Sequence, residues 1–168
     1  MPDAEAGTST DEQLQKAFQL SFAYLNRRER TVGELRLQLE RKGVSHRLAE
    51  QVIGQLVEDG YLDDSRFALM FVHDKRELGG WGSDRIRREL GAKGLDRDLI
   101  ESALERHEHE FAGDETELDR ALALLRGRFS MPHRDRRERD RALGALVRKG
   151  FDSELAVDAL AAYARGAD

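Results

Sequence analysis

Apolar residues fall at the same offsets around three Lys-Gly pairs, Lys42-Gly43, Lys93-Gly94 and Lys149-Gly150. Four residues before each glycine stands a leucine (Leu39, Leu90, Leu146), and eight before it Leu35, Ile86 or Ala142. One residue after the glycine comes Val44, Leu95 or Phe151, five after it Leu48, Leu99 or Leu155, and ten after it Ile53, Leu104 or Leu160. Steps of three to five residues keep side chains on one face of a helix. The glycine between them supplies the left-handed residue that closes a helix cheaply. Agreement at so many offsets defines an internal repeat with a period of roughly fifty residues.

Each copy predicts three helices. In the first, Phe18, Phe22 and Leu25 place a helix over residues 13–27, after an acidic, polar stretch, residues 1–12, that reads as a disordered tail. Thr31-Val-Gly-Glu34 is a capping box for a second helix, with Leu35 and Leu39 inward, ending at Gly43. Ser45 is the expected cap of a third, which buries Leu48, Val52, Ile53 and Leu56 and stops at Gly60. In the second copy Asp63 caps a helix carrying Phe67, Met70 and Phe71 inward, and Leu62 is placed to staple onto Phe67. Gly79-Gly80-Trp81-Gly82 breaks that helix, Ser83 caps the next, and Asp96 caps the last. The third copy opens near Glu115 with Leu118, Leu122 and Leu125 inward, and breaks at Ser130-Met131-Pro132. It resumes near Arg134, and Asp152 caps a final helix reaching Tyr163.

The expected fold is therefore all-α, a tandem array of three three-helix modules over residues 13–60, 61–112 and 113–168, nine helices in all. A core of about eight to ten apolar side chains is marginal for a module of this size. Neighbouring modules are expected to pack end to end into an elongated, curved array.

Composition supports helix. Leu, Ile, Val and Phe make up 40 of 168 residues, enough for a folded chain, but threonine occurs only four times and leucine far outnumbers the β-branched residues. The two prolines, Pro2 and Pro132, leave the stretch between them free to be helical. The chain has no cysteine, which excludes disulfides, thiol nucleophiles and zinc-thiolate sites. The polar, acidic start does not resemble a signal peptide, and no apolar run reaches the length of a membrane span. A cytoplasmic protein with no membrane contact is expected.

No catalytic constellation emerges. His107 and His109 lie two apart on a predicted helix and point to different sides, so they are read as part of a solvated acidic helix rather than as a metal pair. The Gly79–Gly82 run lacks the Lys-Ser/Thr ending and the preceding strand of a phosphate-binding loop. We expect no enzyme, no cofactor and no metal.

Charge is more informative. The net charge of -5 gives no global reason for a polyanionic partner. Locally, seven Lys or Arg against three acids lie between residues 26 and 47, and again between 132 and 150; five against three lie between 83 and 97. Residues 101–120 carry eight acids against Arg106 and Arg120. The middle helices are thus basic and the junction of the second and third modules acidic. Arg27, Arg30, Arg36, Arg85, Arg88 and Lys93 are the candidate partner contacts, suited to phosphate or carboxylate. A solvated face is the bland reading of the same charges. Trp81 is read as a plug between modules, with an exposed partner anchor as the alternative.

Several runs resemble the RecX family, the bacterial regulators of the RecA recombinase. They are Ala23-Tyr-Leu-Asn-Arg-Arg-Glu-Arg-Thr31, Glu34-Leu35 with Leu39, Lys42-Gly43, Gly60-Tyr-Leu-Asp-Asp64, Phe67-Ala68, Phe71-Val72, Ile86, Glu89-Leu90, Lys93-Gly94 and Ala103-Leu104. The match is strong over residues 17–105 and looser in the third module, where Ala142 replaces a bulky residue. The resemblance implies tandem three-helix repeats that bind in the groove of the RecA–DNA filament. It further implies suppression of RecA's ATPase and strand exchange, with a place in homologous recombination, DNA repair and the SOS response. DNA contact would then be weak or through the filament, and a monomer is the natural state. The rival reading is a helix-turn-helix-like DNA-binding module, against which the acidic helix from Arg97 to Glu110 counts.

Overall fold

In the computed structural model of the chain the described residues are 3–133 and 135–166, residues 3–8 by their backbone alone. Among them there are nine helices and no strand. The helices are α1 Asp3–Leu25, α2 Val32–Arg41, α3 His46–Glu58, α4 Asp64–Glu77, α5 Ser83–Ala92, α6 Arg97–Glu110, α7 Glu117–Arg128, α8 Arg136–Lys149 and α9 Ser153–Arg165. Contacts divide the chain into two compact units, residues 1–67 with 93–95, and residues 68–92 with 96–168.

In the first unit α1, α2 and α3 pack on one another around Ala17, Leu35, Leu39, Ala49, Val52, Ile53, Leu56 and Leu62. Each large side chain so buried contributes about 1.5–3 kcal/mol. The Thr31 capping box forms as expected: the Thr31 hydroxyl accepts from Glu34 N–H at 3.1 Å, and the Glu34 carboxylate accepts from Thr31 N–H at 3.1 Å. In the second unit α5 packs on α6, and α7 on both α8 and α9. The core of that second group includes Leu125, Leu146, Phe151 and Leu160.

Four of the five shared offsets have equal fates; the exception is the position after the glycine, where Leu95 and Phe151 are buried and Val44 is half-buried. Leu39, Leu90 and Leu146 are fully buried; Leu35, Ile86 and Ala142 are buried, as are Ile53, Leu104 and Leu160. The leucines five after the glycine are half-buried in every copy. Gly43, Gly94 and Gly150 adopt φ of 78°, 87° and 92°, the left-handed conformation that ends α2, α5 and α8.

Several local expectations are corrected. Residues 3–12 lie in α1 rather than in a disordered tail, so the first helix begins ten residues before Gln13. Extending an existing helix adds a hydrogen bond per residue without new nucleation. Ser45 occupies the N-cap of α3 but its side chain makes no capping hydrogen bond. On α4 the inward face is Ala68, Leu69, Val72 and Arg76, while Met70 is exposed and Phe67 and Phe71 are half-buried. The third copy opens next to Glu115, as expected, at Thr116, through a second capping box with Asp119. The expected restart at Arg134 falls outside the described residues; α8 begins at Arg136, capped by Asp135, whose side chain accepts from Glu138 N–H.

Candidate functional site

The basic middle helices carry the candidate residues. Arg27, Arg30, Arg36 and Lys93 fall in the first unit, and Arg85 and Arg88 in the second. Their surroundings differ. Arg36 on α2 is held by Glu50 on α3, with Nε donating at 2.5 Å and an Nη at 3.1 Å. Glu50 hydrogen-bonding lifts the Arg36 pKa further, and the same bond lowers that of Glu50. Lys93 Nζ reaches Glu34 at 3.3 Å. Arg30 lies over the Tyr24 ring at 4.1 Å, and Arg85 over the Trp81 ring at 3.8 Å. Arg27 and Arg88 are exposed and make no ion pair among the described residues.

The Arg36–Glu50 pair has a counterpart. Arg87 on α5 donates to Glu101 on α6 at 2.8 and 3.0 Å. Both arginines stand seven residues before the repeat glycine and both glutamates seven after it, so the pair is a property of the repeat. The third copy has Leu143 and Val157 at those offsets. In the first two repeats part of the basic charge on the middle helix is therefore neutralised internally, tying the second helix to the third. Aligning the copies at these offsets shows the pair in the sequence itself.

The Lys-Gly turns have a second use. The Lys93 carbonyl accepts from the Thr31 hydroxyl at 2.6 Å, and a Cβ on Gly33 would sit 2.8 Å from that carbonyl oxygen and 2.9 Å from Gly94 Cα. In the second unit Gly82 N–H donates to the Lys149 carbonyl at 2.9 Å and Asp84 N–H to the Gly150 carbonyl at 3.0 Å. A Cβ on Gly82 would sit 2.3 Å from that Gly150 oxygen. Each later Lys-Gly turn thus seats on the start of the middle helix of the copy before it. A carboxylate joins each seat: Asp64 accepts from Val32 N–H at 2.9 Å, and Glu117 accepts from Ser83 N–H and the Ser83 hydroxyl, both at 2.7 Å. Ser83 is therefore not the self-capping residue expected; it opens α5 and is capped in turn by Glu117.

Beneath Ser83 lies a buried polar network that sequence reasoning missed. Arg76, with a side chain only 1% exposed, donates to Glu108 at 2.6 Å, to the Ser83 hydroxyl at 3.0 Å and to His107 Nδ1 at 3.0 Å. Arg120 also donates to Glu108, at 2.6 Å. Glu108 thus sits between two guanidiniums. Burial pushes its pKa up, but the hydrogen bond from Arg120 and the charges of Arg76 and Arg120 outweigh that and leave it lowered. Burial lowers the pKa of Arg76, helped by Arg120. His107, expected on a solvated face, is buried; burial and then the Arg76 charge push its pKa down to about 4, so it is neutral at pH 7. The spacing Ile100, Ala103, Leu104, His107 follows the helical period and places the imidazole on the inner face despite its acidic neighbours.

His73, Glu77 and His107 bring one potential metal-ligand atom each to within 4.8 Å of one another. Arg76 decides against a cation there. A guanidinium only donates, so the His107 nitrogen it meets is the acceptor, and the ring proton belongs on Nε2. No lone pair is left for an ion, and the neighbouring positive charge repels one.

Trp81 is half-buried, neither a sealed plug nor a free anchor. Its ring meets Phe71 edge-on at 6.3 Å, and both the Arg85 guanidinium, at 3.8 Å, and Lys75 Nζ, at 5.1 Å, lie over it. Lys149 Nζ donates to the Gly79 carbonyl at 2.8 Å. Among the described residues no helix is long and apolar enough to cross a membrane.

Comparison with known proteins agrees with the repeat. The family model "RecX, first three-helix domain" matches residues 17–56 and "RecX, second three-helix domain" matches residues 63–104. The chain is 37% identical over 139 residues to the regulatory protein RecX of Xanthomonas campestris pv. campestris, covering 82% of each. It is 33% identical over 142 residues to that of Lactobacillus delbrueckii subsp. bulgaricus, covering 84% of this chain and 51% of the relative, so it spans about half that protein's length. The crystal structure of RecX from Lactobacillus salivarius superposes with a TM-score of 0.76 at 20% identity, over 91% of this chain and 97% of that one, which shows a common fold. With two RecX three-helix domain models matched and a RecX relative 37% identical over 82% of both chains, the chain belongs to the RecX family.

Proposed function

We propose that the protein is a non-catalytic regulator that binds the RecA–DNA filament and lowers RecA's ATPase and recombinase activity. Family membership is the observation that carries this reading, and relatives that bear the name regulatory protein support it. The division into three repeats, at 13–60, 61–112 and 113–168, belongs to the proposal. So does a monomer in the cytoplasm.

Arg27 and Arg88 are the contacts we favour. They are exposed and make no ion pair among the described residues, whereas Arg36, Lys93, Arg85 and Arg30 each have a partner in the fold. An unpaired surface arginine binds carboxylate or phosphate without first breaking an ion pair. DNA alone is the weaker reading, because α6 bears Asp98, Glu101, Glu105, Glu108 and Glu110, which phosphate repels.

Co-sedimentation with RecA filaments, run beside duplex binding over a range of salt, tests the proposal. Pelleting with filaments and weak duplex binding is the expected result. Tight, salt-sensitive duplex binding without RecA would replace it with the DNA-binding module.

A further inference from the structure

The third copy carries a cleft at the break between its first two helices. Between the end of α7 and the start of α8 the chain runs through Phe129-Ser-Met-Pro-His133 and leaves a cleft of about 290 Å³ against α8 and α9. Its apolar lining is Phe129, Met131, Pro132, Ala142 and the Tyr163 ring. The wall is fixed, because the Tyr163 hydroxyl donates to the Phe129 carbonyl at 2.5 Å and so ties α9 to the segment after α7. Met131 stands 58% exposed in the lining, an unbranched side chain able to mould to a guest.

Arg128, Arg141 and His133 supply the polar lining, with Glu138 the single acid among them. Arg128 and Arg141 are exposed, and His133 Nδ1 is buried with no hydrogen-bond partner among the described residues. Arg126 lines an adjoining hollow with Phe129 and Tyr163. A concave apolar floor with cations around it takes a guest that is apolar at its centre and anionic at its edges.

We infer that this cleft binds an acidic peptide segment through one bulky apolar side chain, with carboxylates on either side paired to Arg128 and Arg141. A protein segment fits better than a nucleic acid. Asp135, Glu138 and Asp140 interleave with the arginines of α8, which breaks the unbroken cationic track a phosphodiester chain needs. The inference goes beyond the RecA reading and does not depend on it, since the site lies wholly within residues 128–163 and its test contains no RecA.

The test is fluorescence anisotropy of the full chain with a short fluorescein-labelled peptide carrying one leucine between pairs of glutamates. Saturable binding is expected. Replacing the leucine by glycine, or making Arg128→Glu or Arg141→Glu, should each weaken it by roughly tenfold or more. Both arginines are exposed, so helicity by circular dichroism should be unchanged; Met131→Asp gives a further variant on the apolar side. No saturable binding overturns the inference, as does binding indifferent to both arginine changes. Displacement of the peptide by a single-stranded oligonucleotide, with the oligonucleotide bound more tightly, would give the cleft to nucleic acid instead.

Discussion

The Thr31 hydroxyl uses both of its capacities at once, accepting from Glu34 N–H at 3.1 Å and donating to the Lys93 carbonyl at 2.6 Å. One oxygen caps a helix of the first repeat and holds the closing turn of the second. Thr31→Ala removes both bonds and leaves two backbone groups short of a partner, for a loss of about 2–3 kcal/mol. Thr31→Ser should recover most of it. Urea unfolding of the three proteins checks the order.

The glycines of these seats should separate by role. Gly82→Ala puts a methyl 2.3 Å from the Gly150 carbonyl oxygen, backbone against backbone, and should destabilise by about 3 kcal/mol or prevent folding. Gly43→Ala meets nothing within 4 Å and suffers only its positive φ of 78°, a cost of about 1–2 kcal/mol. Equal losses at the two positions would show that the turn, and not the seat, matters. Thermal melts in one buffer suffice.

How much of this was legible beforehand follows the physics of each feature. The Lys-Gly repeat, Thr31 capping box, and Asp63, Asp96 and Asp152 caps are local, and sequence spacing shows them. The Arg36–Glu50 and Arg87–Glu101 pairs are legible once the copies are aligned, whereas a charge count alone does not show where each side chain ends. Arg76 was missed, because one arginine on an apolar face carries no signal of the Glu108, Ser83 and His107 groups brought to it from α6 and α5. Hydrophobicity alone puts Met70 inward, but the small Ala68 fills that core position and Met70 is exposed.

Acid should loosen the fold through His107. Its folded pKa of about 4 lies below the ordinary 6.5, so the unfolded chain takes up the proton first. The stabilisation is full above pH 6.5 and is lost as pH falls towards 4, by roughly 3 kcal/mol across the window. The lowered carboxylates Glu34, Glu50, Glu101 and Glu108 add a loss of the same sign below their ordinary range. Stability measured from pH 8 to 4 should therefore fall in the wild type, and His107→Gln should flatten the upper part of that fall.

Arg76→Met should be costly. It strands Glu108 beside Arg120 alone and leaves the Ser83 hydroxyl and His107 without a donor, a loss of about 3–5 kcal/mol. The exposed pair Arg36–Glu50 is the contrast: Glu50→Gln should cost no more than about 1 kcal/mol. A large effect at Glu50 with a small one at Arg76 would reverse the assignment of the structural pairs.

RecA's DNA-dependent ATPase, measured on single-stranded DNA as this protein is titrated in, tests the functional reading most directly. Inhibition that saturates is expected, with a clear weakening by Arg27→Glu and Arg88→Glu combined and helicity unchanged. A RecA rate unaltered at saturating protein would contradict it.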